Sequence, residues 1–192
     1  MPILYEVWMD HCYQVTLKAS SIGYIIDVGA NVGLSSLYFH DYFPQAAILS
    51  VEPSPDNLPS LQLNTQQIDA ITIITAAVSD QVGNTTMSTD TVGYNHKIDE
   101  GNGVEVTCIT MSHLLQSYAT SYPVLFVKMD IEGGELAVFE SNTSWLLEIP
   151  RLIIETHGET IAKLVADACR KSGFTISGQS GSIASYERGV DS

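Results

Sequence analysis

The apolar run Tyr24-Ile25-Ile26 leads straight into Asp27-Val28-Gly29-Ala30-Asn31-Val32-Gly33 and then into Leu34, Leu37 and Tyr38 at helical spacing. An apolar run without alternation is what a strand buried on both faces requires. Glycines let the backbone turn sharply behind it, and the new period marks a helix. A strand that turns directly into a helix is half of a parallel crossover unit, so this one segment already commits the chain to an α/β fold.

The rest of the sequence repeats the pattern. A second strand is expected over Ala47 to Val51, then a helix capped near Ser54-Pro55-Asp56 and reaching about Asn64. Ile71 to Thr75, rich in β-branched residues, reads as a third strand. Gly83-Asn84 suggests a turn into an extended piece over Thr85 to Ser88, and residues 90–103 a long loop. Val104 to Cys108 reads as a strand, with Thr110 capping a helix through Met111, Leu114 and Leu115. Further strands are expected at Val124 to Val127 and Arg151 to Glu155, each followed by a helix, the first opening at Glu135 and the second ending at Gly173. Phe174 to Ser177 and Ile183 to Glu187 have no helix between them, which predicts an antiparallel hairpin at the edge of an otherwise parallel sheet. At 192 residues the chain is expected to form one domain, with residues 1–21 as an N-terminal segment whose Tyr5, Trp8 and Tyr13 either cover a site or pack against the sheet.

Ligands of such sheets bind outside the carboxyl ends of the strands, where the strand order reverses. Asp27, Gly29, Ala30, Asn31 and Gly33 sit at that end of the first strand, and Glu52 closes the second, where a carboxylate can accept ribose hydroxyls. The plan suits a dinucleotide or S-adenosylmethionine. A pyrophosphate wants three close glycines and bare N–H groups at a helix N-terminus. Here Asn31 replaces the second glycine, and a carboxylate at Asp27 would repel an anion but favour an ammonium and a sulfonium. The residues therefore favour S-adenosylmethionine, with a nicotinamide-dependent oxidoreductase and a catalytically silent nucleoside-binding domain as the alternatives.

Charge narrows the acceptor. Eight Lys and Arg stand against 22 Asp and Glu, and the basic residues form no stripe, so no nucleic-acid partner is expected. No apolar run approaches the roughly 18 residues of a spanning helix, so no membrane span is expected either. Cys12, Cys108 and Cys169 are odd in number and lack metal-site spacing, and the N-terminus has no signal-peptide pattern, so reduced thiols and a cytoplasmic location are expected.

Taken together, Ile26-Asp27-Val28-Gly29-Ala30-Asn31-Val32-Gly33, Val51-Glu52-Pro53, Ala76-Ala77-Val78-Ser79-Asp80 and Val127-Lys128-Met129-Asp130-Ile131-Glu132-Gly133-Gly134-Glu135 resemble the FkbM methyltransferase family in order and spacing from about residue 24 to 157. The resemblance implies a Rossmann-like class I methyltransferase fold, with a seven-stranded, mostly parallel sheet and helices on both faces. It also implies O-methylation of a hydroxyl on a small molecule, sugar, lipid or natural-product intermediate. It places Asp27, Gly29 and Asn31 around the amino acid end of S-adenosylmethionine, Glu52 on its ribose, and Ala77, Val78 and Asp80 beside its adenine, with Ala30, Gly33 and Asp130 as further cofactor contacts. Members occur as free enzymes and as domains of larger synthases, so a carrier-bound acceptor and an excised domain both fit the resemblance.

A hydroxyl acceptor must lose a proton, which calls for a base or a metal ion. Asp130 and Glu132 follow one strand, and Glu155 and His157 follow the next. In one reading His157 is the base, oriented by Asp130 or Glu155. In the other, Asp130, Glu155 and His157 hold a divalent ion such as Mg²⁺ or Mn²⁺. Duller roles exist for each: Lys128 pairs with a carboxylate, Glu135 favours a helix N-terminus, Asp130 caps its turn, and His157 is a satisfied strand-end histidine. His96, in the long loop with Tyr94, Asn95 and Lys97, is a candidate acceptor contact.

Overall fold

The computed structural model describes residues 13, 15, 17–87 and 103–189. The long loop, apart from Gly103, and most of the N-terminal segment, with Tyr5, Trp8, Cys12 and His96, lie outside the described residues. The elements in chain order are β1 (Tyr24–Val28), α1 (Leu34–Tyr42), β2 (Ala47–Val51), α2 (Leu58–Thr65), β3 (Ile71–Ile74), β4 (Ala77–Val78), β5 (Gly83–Met87), β6 (Val104–Ile109), α3 (Met111–Tyr118), β7 (Val124–Met129), α4 (Glu135–Glu140), a 3₁₀ turn (Ser144–Glu148), β8 (Arg151–Glu155), α5 (Glu159–Lys171), β9 (Phe174–Ser180) and β10 (Ile183–Arg188).

Seven strands make the main sheet in the order β3-β2-β1-β7-β8-β10-β9. β1, β2, β3, β7 and β8 are mutually parallel, and β10 runs antiparallel to both β8 and β9. The terminal hairpin is thus as expected, with its second strand inserted next to β8. From β1 the chain moves outward to β2 and β3, then returns to β7 on the other side of β1. That reversal opens the crevice at the carboxyl ends of β1 and β7 where a ligand would sit.

Period-two alternation sends the strand residues to two cores. Ile26, Val28, Leu49, Val51, Val127, Met129, Leu152 and Ile154 pack with Leu114 of α3, Val138 and Phe139 of α4, Trp145 of the 3₁₀ turn and Val165 of α5. Ile25, Ile48, Phe126 and Ile153 pack on the other face with Tyr13 and with Tyr38 and Phe39 of α1. Burial on both faces explains why these strands read as continuous apolar runs.

Two local differences from expectation have clear causes. The helix after β2 starts at Leu58 rather than near Ser54, because Ser54 first closes a tight turn whose carbonyl accepts the N–H groups of Asn57 and Leu58. The stretch after β3 contains an unforeseen strand: β4 pairs with β6, and β6 with β5, in a separate three-stranded sheet. Two residues give no periodicity to read. Cys108 and Cys169 are buried free thiols, and burial pushes the Cys169 thiol up to about 12.

Candidate active site

Parallel register sets Asp27 of β1 opposite Lys128 of β7 at the centre of the sheet. The two form a buried ion pair at 3.1 Å. The other carboxylate oxygen of Asp27 accepts the hydroxyls of Ser35 and Ser36, each at 2.6 Å, from the first turn of α1. Lys128 Nζ also donates to the carbonyl of Gly29 at 2.8 Å. Burial pulls the lysine toward neutrality, but the Asp27 charge, with Tyr13 and Asp130, outweighs it and its proton affinity ends raised. Lys128 therefore pairs as the sequence suggests. Asp27 does not act as the free anion assumed above, because its charge is neutralised inside the sheet and its side chain fixes β1, β7 and α1 to one another.

The turn from Gly29 to Gly33 uses its amides internally. Gly29 and Ala30 donate to the Val51 carbonyl at 2.9 and 3.0 Å, and Gly33 donates to the Ala30 carbonyl at 2.8 Å. Asn31 donates to Glu52 Oε2 at 2.8 Å, and Val32 to the Asn31 side chain at 2.8 Å. A phosphate-binding turn keeps such groups free for the anion; this one has none free. Gly29, at φ +78°, also runs so close to β7 that a Cβ there would lie 1.8 Å from the Asp130 carbonyl oxygen. Asn31 too is left-handed, at φ +51°, a conformation asparagine tolerates better than most residues.

Glu52 is buried beside this turn. Its Oε1 accepts the Ser54 N–H at 2.9 Å and the Asn57 amide at 3.2 Å, in addition to Asn31 on Oε2. A carboxylate offers about four acceptor positions, so one remains on Oε2 and a second opens when the Asn57 amide turns away. Ala77 and Val78 are buried in β4 with their side chains committed to packing. Beyond them Ser79 and Asp80 line a cavity of about 200 Å³ with Thr110, Ser112 and Trp145.

At the ends of β7 and β8 a second cluster forms. Asp130 follows β7, and Glu132 and Gly133 both take positive φ, at +54° and +98°. For a glutamate that conformation is strained. It places the Glu132 carboxylate 3.3 Å from His157 Nε2, while Asp130 Oδ1 lies 4.0 Å from the same atom. On the other side of the ring Nδ1 donates to Glu135 Oε1 at 3.1 Å. Glu135 is fully buried, unlike its neighbours in the cluster. Its hydrogen bond, opposed by burial and aided by the charges of Glu135, Glu132 and Asp130, pushes His157 up to about 9. Burial and the Asp130 charge push the Glu132 carboxyl up, with His157 working against them.

The sequence-level grouping of Asp130, Glu155 and His157 is not what the fold assembles. Among the described residues, the donors that come within 4.8 Å of one another are on Asp130, Glu132 and His157. Glu155 instead accepts the Ser182 hydroxyl at 2.8 Å, from the turn between β9 and β10. The acceptor of the His157 Nδ1 hydrogen bond is Glu135, not Asp130 or Glu155, and its helix-terminal position gave a reason for the acid without revealing its burial. The strained Glu132 turn was foreshadowed only by the Gly133-Gly134 pair that follows it.

The family model described as Methyltransferase FkbM domain matches residues 27–169. The chain is 28% identical over 208 residues to methyltransferase sdnD of Sordaria araneosa, covering 88% of this chain and 74% of that protein. It is 26% identical over 149 residues to the hexuronic acid methyltransferase AglP of Haloferax volcanii, covering 74% and 61%. Aeropyrum pernix fibrillarin, solved with natively bound S-adenosyl-L-methionine, shares the fold at a TM-score of 0.53 and 10% identity, over 90% of this chain and 70% of that one. Among the described residues no helix is long and apolar enough to cross a membrane.

Proposed function

The chain belongs to the FkbM methyltransferase family, and from that premise we propose that it transfers the methyl group of S-adenosylmethionine to a hydroxyl of a small molecule, sugar, lipid or natural-product intermediate, free or carrier-bound. The observation that carries the cofactor choice is the Gly29 to Gly33 turn. With every amide spent inside the protein it offers a pyrophosphate nothing, while the acidic cluster at Asp130 and Glu132 suits a sulfonium. The backbones of Gly29 and Asn31 approach the methionine end, Glu52 accepts ribose hydroxyls through its remaining oxygen positions, and Asp80 lies beside the base. Bound in this crevice, S-adenosylmethionine would supply an electrophilic methyl group for the acceptor oxygen.

The protein's own contribution is alignment and proton removal. His157 Nε2 takes the acceptor proton, and the facing carboxylates of Glu132 and Asp130 stabilise the imidazolium that results. The excess of acids over bases supports a neutral or cationic acceptor rather than a polyanion. A divalent ion such as Mg²⁺ or Mn²⁺ is the second reading, favoured by the three mutually close donors of Asp130, Glu132 and His157. It would be held by those residues and would polarise the acceptor oxygen.

The test is incubation with labelled S-adenosylmethionine and a panel of hydroxylated acceptors, a hexuronic acid among them, with and without EDTA. Label in an alkali-stable ether, unaffected by EDTA, is the expected result. Abolition by EDTA with rescue by Mn²⁺ replaces the base by the metal, and label on nitrogen or carbon overturns the O-methylation reading.

A further inference from the structure

Glu135 has more invested in it than a helix-terminal acid needs. It is fully buried, yet both hydrogen bonds it receives fall on one oxygen: the Ile131 N–H at 3.2 Å and His157 Nδ1 at 3.1 Å both meet Oε1. Oε2 is buried with no hydrogen-bond partner among the described residues. Burying a carboxylate this incompletely satisfied is costly, and a cap for the turn at Ile131 needs only one neutral oxygen. The geometry instead suits holding an imidazole. With Nδ1 tied back to Glu135, Nε2 is left as the nitrogen that faces Glu132 and Asp130.

We infer that Glu135 is the positioning residue of the methyl-transfer step, fixing His157 through Nδ1 so that Nε2 meets the acceptor hydroxyl. The inference rests on the proposed O-methylation. The proton leaves the acceptor oxygen for Nε2 as the oxygen bonds to the methyl carbon and the carbon–sulfur pair returns to sulfur. Glu135 exchanges no proton in this step.

A property of the site makes the role separable from mere stability. In Glu135→Gln the amide oxygen is held in the Oε1 place by the Ile131 N–H, so it still accepts from Nδ1 and the ring keeps its orientation. In Glu135→Leu both bonds vanish and the ring is free to turn. The expected result is that Glu135→Leu lowers kcat about 100-fold, the scale of a small misplacement of a reacting group, with acceptor KM and S-adenosylhomocysteine affinity within about twofold of wild type. Glu135→Gln keeps kcat within about tenfold of wild type. Equal losses in both variants, or an unchanged kcat in folded Glu135→Leu, overturns the inference.

Nitrogen-15 NMR of the wild-type protein with S-adenosylhomocysteine needs neither variant nor acceptor. A far-downfield Nδ1–H resonance of His157 is expected, and its absence refutes the positioning whatever the acceptor proves to be. Conversely, failure to methylate any hydroxyl while that resonance is present counts against the proposed function and not against the Glu135–His157 bond.

Discussion

Replacing Lys128 by Met leaves the centre of the sheet with one buried carboxylate and no counter-charge. Asp27 and Lys128 are both almost fully excluded from solvent and 3.1 Å apart. Breaking a buried pair by removing one partner costs about 3–5 kcal/mol, because the remaining charge is stranded. Ser35 and Ser36 still donate to Asp27 in this variant, so the lower half of that range is expected. For a protein of this size each kcal/mol lowers Tm by about 2–4 °C, giving a fall of roughly 6–16 °C. Urea unfolding followed by circular dichroism reads the loss directly. The double variant Lys128→Met/Asp27→Asn removes both charges, and its loss should be smaller than the sum of the single losses by at least about 1.5 kcal/mol. A Lys128→Met cost below about 1 kcal/mol, the scale of an exposed pair, refutes the claim that this pair anchors the turn.

Gly29→Ala drives a methyl group into the Asp130 carbonyl at a left-handed backbone position. It should abolish S-adenosylhomocysteine binding in calorimetry and destabilise the fold by more than about 2 kcal/mol. His157 gains proton affinity on folding, from 6.5 to about 9. Its stabilising contribution is therefore complete below the lower value and is lost as pH rises through about 9, so wild-type stability should fall across that window and His157→Gln should flatten the curve. The same group, as base, makes kcat/KM rise with pH toward about 9; a flat profile removes His157 from proton transfer. Asn57→Ala frees an acceptor position on Glu52 and should leave S-adenosylhomocysteine affinity unchanged or tighter, whereas Glu52→Ala should weaken it about 100-fold, measured by calorimetry.

The strands of the parallel sheet were legible because two-sided burial writes itself as unbroken apolar runs, as in Ile25-Ile26 and Leu152-Ile153-Ile154. The glycine turn was legible because Gly29 and Gly33 must adopt conformations other residues avoid. The partners of charged groups were not. Asp27 looks like an exposed acid at a strand end, and only the β1–β7 register, a contact across about a hundred residues, reveals its lysine. Glu155 ends one strand and Glu132 lies just past another. What separates them is a hydroxyl on Ser182 and a positive φ, neither of which has a local signature. Two-residue β4 falls below any readable period.

The proposed function requires the crevice at the ends of β1 and β7 to bind S-adenosylmethionine rather than a dinucleotide. Isothermal calorimetry of the wild-type protein with S-adenosylhomocysteine and, separately, NAD tests it most directly. Saturable one-to-one binding of S-adenosylhomocysteine, lost in Gly29→Ala, with no heat from NAD, is the expected result. Saturable binding of NAD without binding of S-adenosylhomocysteine would contradict it.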